Sequence, residues 1–129
     1  MKIHESAENY LEAILMIQLE KGSARSIDVA HRLSFSKPSV SRAVSLLREN
    51  GYILMSRDGL LELTPAGREI AETIYERHIL LSRWLTSLGV PSDIAAEDAC
   101  KMEHDISPVT FQCLKAHIQQ KAEIPAVKD

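Results

Sequence analysis

The chain has 129 residues, of which 45% are hydrophobic and 26% charged, so it is predicted to be globular with one core or two small ones. No apolar run approaches the roughly 18 residues that span a bilayer, and no charged start leads into an apolar stretch. The sequence therefore predicts a cytoplasmic protein that does not cross a membrane. Two cysteines, Cys100 and Cys113, are too few for a disulfide scaffold.

The net charge of −3 is unevenly distributed along the chain. Residues 1–20 and residues 64–129 each carry a net charge of −3, whereas residues 21–63 carry +3. An acidic protein with one basic segment is typical of a DNA-binding module joined to a carboxylate-rich sensor. A random scatter of charge is the alternative for a difference of this size.

The first half of the chain predicts three helices followed by a hairpin. Ser6, Ser26 and Ser36 are the predicted helix caps. Pro38 lies in the first turn of the third helix, where its missing N–H costs nothing, and that helix is expected to end at Asn50-Gly51. Two β-prone runs, residues 52–57 and 60–63, then flank Asp58-Gly59, a pair that favours a tight hairpin turn.

The second half of the chain predicts three further helices. Each begins with a serine or threonine cap, and two of the caps are followed at once by proline. The predicted caps are Thr64, Ser92 and Ser107. Gly89 follows the first of these helices, the second is expected to run to about His104, and residues 121–129 are expected to form a frayed tail.

This order of elements predicts a mainly α fold. Residues 1–64 are predicted to form a winged helix-turn-helix domain, and residues 65–129 an all-helical domain. The apolar stripes of the C-terminal helices exceed what one small domain needs to cover, so a homodimer is expected.

The third helix presents small hydroxyl and basic side chains opposite its apolar face. Serines donate to phosphates or base edges without bulk, and Arg42 can pair with guanine through two hydrogen bonds. Arg25 and Arg57 are expected to reach phosphate groups. The predicted DNA contacts are Arg25, Ser26, Ser36, Lys37, Pro38, Ser39, Ser41, Arg42 and Arg57. A metal-independent winged-helix module that binds other proteins is the alternative.

The densest chemistry in the sequence lies in Cys100, Glu103 and His104. Their spacing places a thiol, a carboxylate and an imidazole on one helical face, where they could hold a divalent first-row metal. Taken alone the triplet is a weak signal, and a small apolar cysteine beside a solvated Glu–His pair explains it better. Cys113 is expected to pack beside Leu114 on the last helix.

From its start to about residue 118, the chain resembles the diphtheria toxin repressor and manganese transport regulator family of metal-dependent transcriptional repressors. The likeness is carried by ESAENYLE at residues 5–12, SKPSVS at 36–41, the hairpin, LTPAG at 63–67, RH at 77–78 and EDACKMEHDIS at 97–107. The resemblance implies metal ligands on three predicted helices. These are Asn9, Glu12, His78, Cys100, Glu103 and His104.

The resemblance also implies a non-enzymatic repressor that binds palindromic operator DNA as a homodimer when loaded with Fe(II) or Mn(II). No small-molecule substrate is expected, and a metalloenzyme with Glu103 as base finds no supporting nucleophile or phosphate-binding loop. Asn9 replaces the Asp or Met of relatives, and Ser82 and Ala96 replace the ligands of a second, separate metal site, so one site or a closely paired site is expected. A thiolate at Cys100 favours Fe(II), with Mn(II) the close alternative.

Overall fold

A computed structural model describes the backbone of residues 5–128 and the side chains of residues 6–120. Within that part of the chain the fold is mainly helical, as predicted, with six helices and one three-stranded antiparallel sheet. The helices are α1 (Glu5–Lys21), α2 (Ser26–Leu33), α3 (Lys37–Glu49), α4 (Pro65–Ser87), α5 (Ser92–Met102) and α6 (Pro108–Lys128). The strands are β1 (Ala24–Arg25), β2 (Ile53–Met55) and β3 (Leu60–Leu63). None of the described helices is long and apolar enough to span a membrane.

The chain divides into two compact units, here called the N-terminal unit (Met1–Tyr75) and the C-terminal unit (Glu76–Asp129). The division falls inside α4, because Ile70 and Ala71 of that helix belong to the core of the N-terminal unit. The domain boundary at residue 64 stays a prediction. The C-terminal helix α6 continues to Lys128, beyond the end near Gln120 that the sequence suggested, although Pro125 lies within this stretch.

The core of the N-terminal unit is built from the apolar faces of its helices and from the inner side of the sheet. The largest wholly buried side chains of this core are Leu11, Ile14, Val29, Val40, Ile53 and Leu61. The helical spacing of three and four residues that predicted the inward face of α3 is confirmed, since Val40, Val44 and Leu47 are buried.

Three predicted helix caps are confirmed, and in each of them the cap side chain bonds an N–H group three residues further along the chain. The Ser36 hydroxyl accepts a hydrogen bond from the Ser39 N–H at 3.3 Å, Thr64 Oγ1 accepts one from the Gly67 N–H at 3.1 Å, and Ser107 Oγ accepts one from the Thr110 N–H at 3.1 Å. These are the first-turn donors that would otherwise lack partners.

Three other predicted caps are wrong, because each serine lies inside its helix. Ser6 follows Glu5 in α1, and Ser92 is the first residue of α5 after Pro91. Ser26 is the first residue of α2, and the cap is Arg25, which pairing in β1 holds in an extended conformation. Asp28 accepts the Arg25 N–H at 3.0 Å, and the Lys21 ammonium beside Asp28 holds the pKa of that carboxyl below its usual value.

The turn between α2 and α3 is built on Ser34, which adopts a left-handed conformation with φ +58°. A side chain in this region costs roughly 1–2 kcal/mol, whereas glycine adopts it freely. Relief of this strain should stabilise the fold, but glycine also gains entropy in the unfolded chain, which offsets part of the gain. We therefore expect Ser34→Gly to raise the free energy of unfolding by about 0.5 kcal/mol. Urea denaturation measures the change. Ser45→Gly, in the exposed face of α3, is the matched control and should be destabilising. A destabilised Ser34→Gly protein would contradict the strain at this turn.

The wing consists of β2 and β3, with Ile53 opposite Leu63 and Met55 opposite Leu61. Its turn differs from the predicted one. Among the described non-glycine residues only Ser34 has positive φ, so Gly59 alone provides the left-handed residue of a three-residue loop, at φ +86°. The sequence did not predict β1, which pairs with β3 over only two residues, too few to leave a periodic pattern.

Gly67 allows α4 to start against the end of the wing. A Cβ atom at this position would lie 2.0 Å from the backbone oxygen of Tyr52, which leaves no room for any other residue. The same region is fixed by Thr64, whose hydroxyl donates to the Gly51 carbonyl at 2.7 Å. The first turn of α4 is therefore held firmly to the winged helix.

The C-terminal unit buries Leu81, Ala95, Ala99 and Phe111 together with the carboxylate of Glu103. Helix α5 ends at Met102, two residues before the predicted end near His104, and Glu103 occupies its C-cap position. The expectation that Cys113 packs is wrong, because this residue is exposed on α6 while its neighbour Leu114 is half-buried.

Candidate nucleic-acid interface and metal centre

The exposed face of α3 carries the predicted DNA contacts. Because Val40, Val44 and Leu47 face the core, the polar residues between them are directed to solvent. The predicted contacts of this segment are all exposed; these are Ser36, Lys37, Pro38, Ser39, Ser41 and Arg42. Ser45 and Arg48 are exposed on the same helix. A helix with hydroxyls, one lysine and two arginines on its outer face suits close entry into a major groove.

The structure brings residues of α2 and α3 together at the start of both helices. Ser26, Ile27, Lys37 and Ser41 line a cleft of about 360 Å³. A hydroxyl from each helix and the Lys37 side chain thus meet on one surface. Hydroxyl and ammonium donors are the groups that contact DNA phosphates.

The wing is tied to the start of α2 by Arg25. Its Nη1 donates to the carbonyl oxygen of Asp58, and its backbone pairs with Leu60. This contact joins residues 33 positions apart, so the local sequence pattern could not indicate it. Arg57, next to Asp58 in the turn, is exposed at the tip of the wing.

In the C-terminal unit, α4 and the turn after α5 bring His78, Glu103 and His104 together. His78 Nδ1 lies 3.0 Å from Glu103 Oε1, and His104 Nε2 lies 3.6 Å from Glu103 Oε2. The Glu103 side chain is 0% exposed, that of His104 1% and that of His78 19%. Two imidazoles therefore flank a carboxylate that solvent does not reach.

This cluster fits a divalent metal ion. Glu103 Oε2 is buried and has no hydrogen-bond partner among the described residues. Burying a carboxylate without compensation is costly, and a cation removes that cost. Imidazole nitrogens with a carboxylate oxygen are a donor set suited to Fe(II) and Mn(II).

The other predicted ligands belong to α5 and α1. Cys100 is exposed on α5, one turn before the buried Glu103. In the N-terminal unit, Asn9 is half-buried and Glu12 is buried, three residues apart on α1. Ser82 is half-buried on α4 and has a buried hydroxyl with no hydrogen-bond partner among the described residues.

Sequence reasoning missed one polar residue of this region, Arg77. It is buried beside the cluster and donates to the backbone carbonyls of Glu103 and Ile106. Its position directly before His78 was visible in the sequence, but nothing local indicated that the side chain points inward.

A winged helix followed by a helical unit with a buried imidazole–carboxylate cluster defines a metal-regulated class of DNA-binding protein. Comparison with protein families gives the same result for both halves. Residues 2–61 match the N-terminal DNA-binding domain of the iron-dependent repressors, and residues 64–128 match their metal-binding and dimerisation domain. The chain belongs to the iron-dependent repressor family of transcriptional regulators, as the resemblance predicted. The DNA-binding match disfavours the alternative of a protein-interaction module.

Relatives at 30% identity or more are transcriptional regulators by name. The chain is 37% identical to the transcriptional regulator MntR of Salmonella typhimurium over 116 residues, which cover 90% of this chain and 74% of that protein. It is 30% identical to the HTH-type transcriptional regulator MntR of Lysinibacillus sphaericus, with 95% and 88% covered.

Solved structures share the fold. A manganese-dependent transcriptional repressor in complex with manganese superposes with a TM-score of 0.80 at 27% identity, covering 88% of this chain and 52% of that one. The manganese regulator SloR gives a TM-score of 0.77 at 26% identity, covering 92% and 55%. The chain spans about half the length of these solved proteins.

Proposed function

We propose that this chain represses transcription by binding palindromic operator DNA as a homodimer when it is loaded with Fe(II) or Mn(II). The observation that carries the proposal is the buried Glu103 carboxylate, which lies between His78 and His104 and has one oxygen without a hydrogen-bond partner among the described residues. Family membership supports both the DNA-binding and the metal-binding half.

We assign His78, Glu103 and His104 as metal ligands on their mutual geometry. Asn9, Glu12 and Cys100 are proposed as further ligands on the family resemblance. The burial of Glu12 and its spacing of three residues from Asn9 support this extension. A bound divalent ion would supply the positive charge that the buried carboxylates require.

The DNA contacts follow from the exposed face of α3 and its neighbours. We propose that Arg42, Ser39 and Ser41 meet base edges in the major groove. The remaining predicted polar contacts would bind phosphates; these are Arg25, Ser26, Ser36, Lys37 and Arg57. Pro38 has no hydrogen-bond donor, so it would contact DNA through its apolar ring only. Two α3 helices about one DNA turn apart in a homodimer would read the two halves of a palindrome.

Metal and DNA binding are coupled only if the metal binds the DNA-competent arrangement more tightly than the others. Such a regulator needs neither a catalytic activity nor a small-molecule substrate, and we propose neither. It acts where its operator DNA lies, so we place it in the cytoplasm. A thiolate ligand at Cys100 would favour Fe(II), with Mn(II) the close alternative.

Fluorescence anisotropy on a labelled palindromic duplex tests the function. The duplex is selected from a random-sequence pool in the presence of Mn(II), and binding is measured with chelator, Mn(II), anaerobic Fe(II) or Mg(II). We expect affinity to rise at least tenfold with Mn(II) or Fe(II) and to fall with added salt, since phosphate contacts release counterions. Equal affinity with chelator and with both metals would contradict metal-dependent repression.

A further inference from the structure

Arg77 is a buried arginine that connects three elements of the C-terminal unit. From α4, its Nη1 donates to the carbonyl oxygens of Glu103, at 2.9 Å, and of Ile106, at 2.7 Å. Its guanidinium carbon lies 5.1 Å from the centre of the Phe111 ring on α6, a cation–π arrangement. Arg77 is 8% exposed and Phe111 1%, so the whole contact is shielded from water.

The two carbonyls belong to the turn that carries the proposed ligands. The last hydrogen bond of α5 runs from the Glu103 N–H to the Ala99 carbonyl at 2.9 Å, after which the chain leaves the helix. Carbonyl groups at a helix C-terminus lack partners within the helix, and a cation there is favourable to the helix dipole. Arg77 supplies both the donor and the charge, so it fixes the backbone at Glu103.

Two residues of α4 therefore hold Glu103, one at its backbone and one at its side chain. Arg77 binds its main-chain oxygen, and His78 binds its carboxylate at 3.0 Å. Because Arg77 and His78 are consecutive residues of one helix, the distance between the two contacts is set by helix geometry. We propose that Arg77 is a positioning residue, which directs the Glu103 carboxylate at the metal and so sets metal affinity.

This inference rests on the proposed metal site and adds a residue that does not itself contact the ion. Lysine would keep the positive charge and most of the stem. Its ammonium is nearer the backbone than Nη1, and it lacks the planar guanidinium that lies on the Phe111 ring while Nη1 donates to both carbonyls. Arg77→Lys therefore removes the positioning and preserves the charge.

Co(II) binding to the full chain tests the inference, with affinity measured by calorimetry and ligand geometry by the visible absorption spectrum. We expect Arg77→Lys to raise the Kd for Co(II) about 10- to 100-fold and to change the absorption bands. Saturating Co(II) should restore binding to the selected duplex, because the ligands themselves remain. Arg83→Lys, at an exposed position of the same helix, is the matched control and should match the wild type.

An Arg77→Lys protein with a lower Tm but an unchanged Kd and spectrum would overturn the positioning role and leave Arg77 purely structural. A wild-type chain that binds no Co(II) would contradict the proposed function itself. If Arg77→Lys does not fold without metal, Phe111→Leu decides. That change removes the ring beneath the guanidinium and keeps both hydrogen bonds, so a Kd raised a few-fold supports the inference and an unchanged Kd refutes it.

Discussion

Glu103→Gln is expected to abolish the response of the protein to metal while leaving its fold intact. The amide has the shape of the carboxylate but no charge, so no buried negative charge remains for a cation to neutralise. Removing an uncompensated buried charge is often neutral or stabilising. We therefore expect the metal-free variant to be at least as stable as the metal-free wild type.

The difference should appear on metal addition. An ion present at about 100 times its Kd stabilises the folded wild type by about 2.7 kcal/mol, which corresponds to a rise in Tm of roughly 8 °C for a chain of this size. Glu103→Gln should show almost none of this rise with Mn(II) or Co(II). Its binding to the selected duplex should stay at the chelator level at every metal concentration.

Glu97→Gln is the matched control, since Glu97 is exposed on α5 and the change in charge is the same. It should keep the full rise in Tm. Differential scanning fluorimetry, with and without chelator, measures the rise in Tm of both variants. A Glu103→Gln protein that retains the wild-type rise would mean that the metal binds elsewhere, and the site assigned to His78, Glu103 and His104 would be wrong.

The parts of the fold that the sequence predicted are those determined by neighbouring residues. Ser36, Thr64 and Ser107 cap helices by bonding an N–H three residues away, and such a pattern can be read directly. The alternation of buried Val40, Val44 and Leu47 with exposed serines is equally local. Taken in chain order, these local signals predict a winged-helix architecture.

What the sequence could not show are contacts between distant residues. Arg25 caps α2 because β1 holds it extended, and its guanidinium reaches Asp58 in the wing. Neither contact produces a periodic pattern of residues in the sequence. Serine is a common cap residue, so the residue type favoured Ser26, but strand pairing places the cap at Arg25.

The metal centre likewise has residues that the local sequence pattern indicated and residues that it could not indicate. Residue spacing placed Cys100, Glu103 and His104 on one helical face, but α5 ends at Met102, so Glu103 and His104 are buried in the turn that follows it, whereas Cys100 is exposed on the helix. The approach of His78 to Glu103 joins residues 25 positions apart, so only the family resemblance could indicate it in advance. Arg77, adjacent to His78, had no such support.

Arg42→Ala is expected to weaken binding to the selected palindrome strongly and to change which sequences are preferred. Arg42 is exposed on α3 within the segment that would enter the major groove. A bidentate arginine–guanine pair contributes about 1–3 kcal/mol of discrimination, and a homodimer loses two of them. The expected loss is therefore about 2–6 kcal/mol, or roughly 30-fold to more than 10⁴-fold in Kd.

A phosphate contact should behave differently, and Arg57→Ala provides the comparison. Loss of one phosphate contact per subunit weakens binding to all sequences alike and reduces the salt slope by about 1 for each contact. Arg42→Ala should leave the salt slope nearly unchanged, because base contacts release few counterions. Anisotropy at several salt concentrations, on the palindrome and on a variant with its guanines replaced, measures both properties.

Arg83→Ala, on α4 in the C-terminal unit, removes the same charge far along the chain from α3 and serves as the control for net charge. It should change neither the preference nor the slope. If Arg42→Ala weakened the palindrome and its guanine-free variant equally and lowered the salt slope as Arg57→Ala does, Arg42 would be a phosphate contact. Base reading by α3 would then have to rest on Ser39 and Ser41, whose single hydroxyls discriminate bases less sharply than an arginine fork.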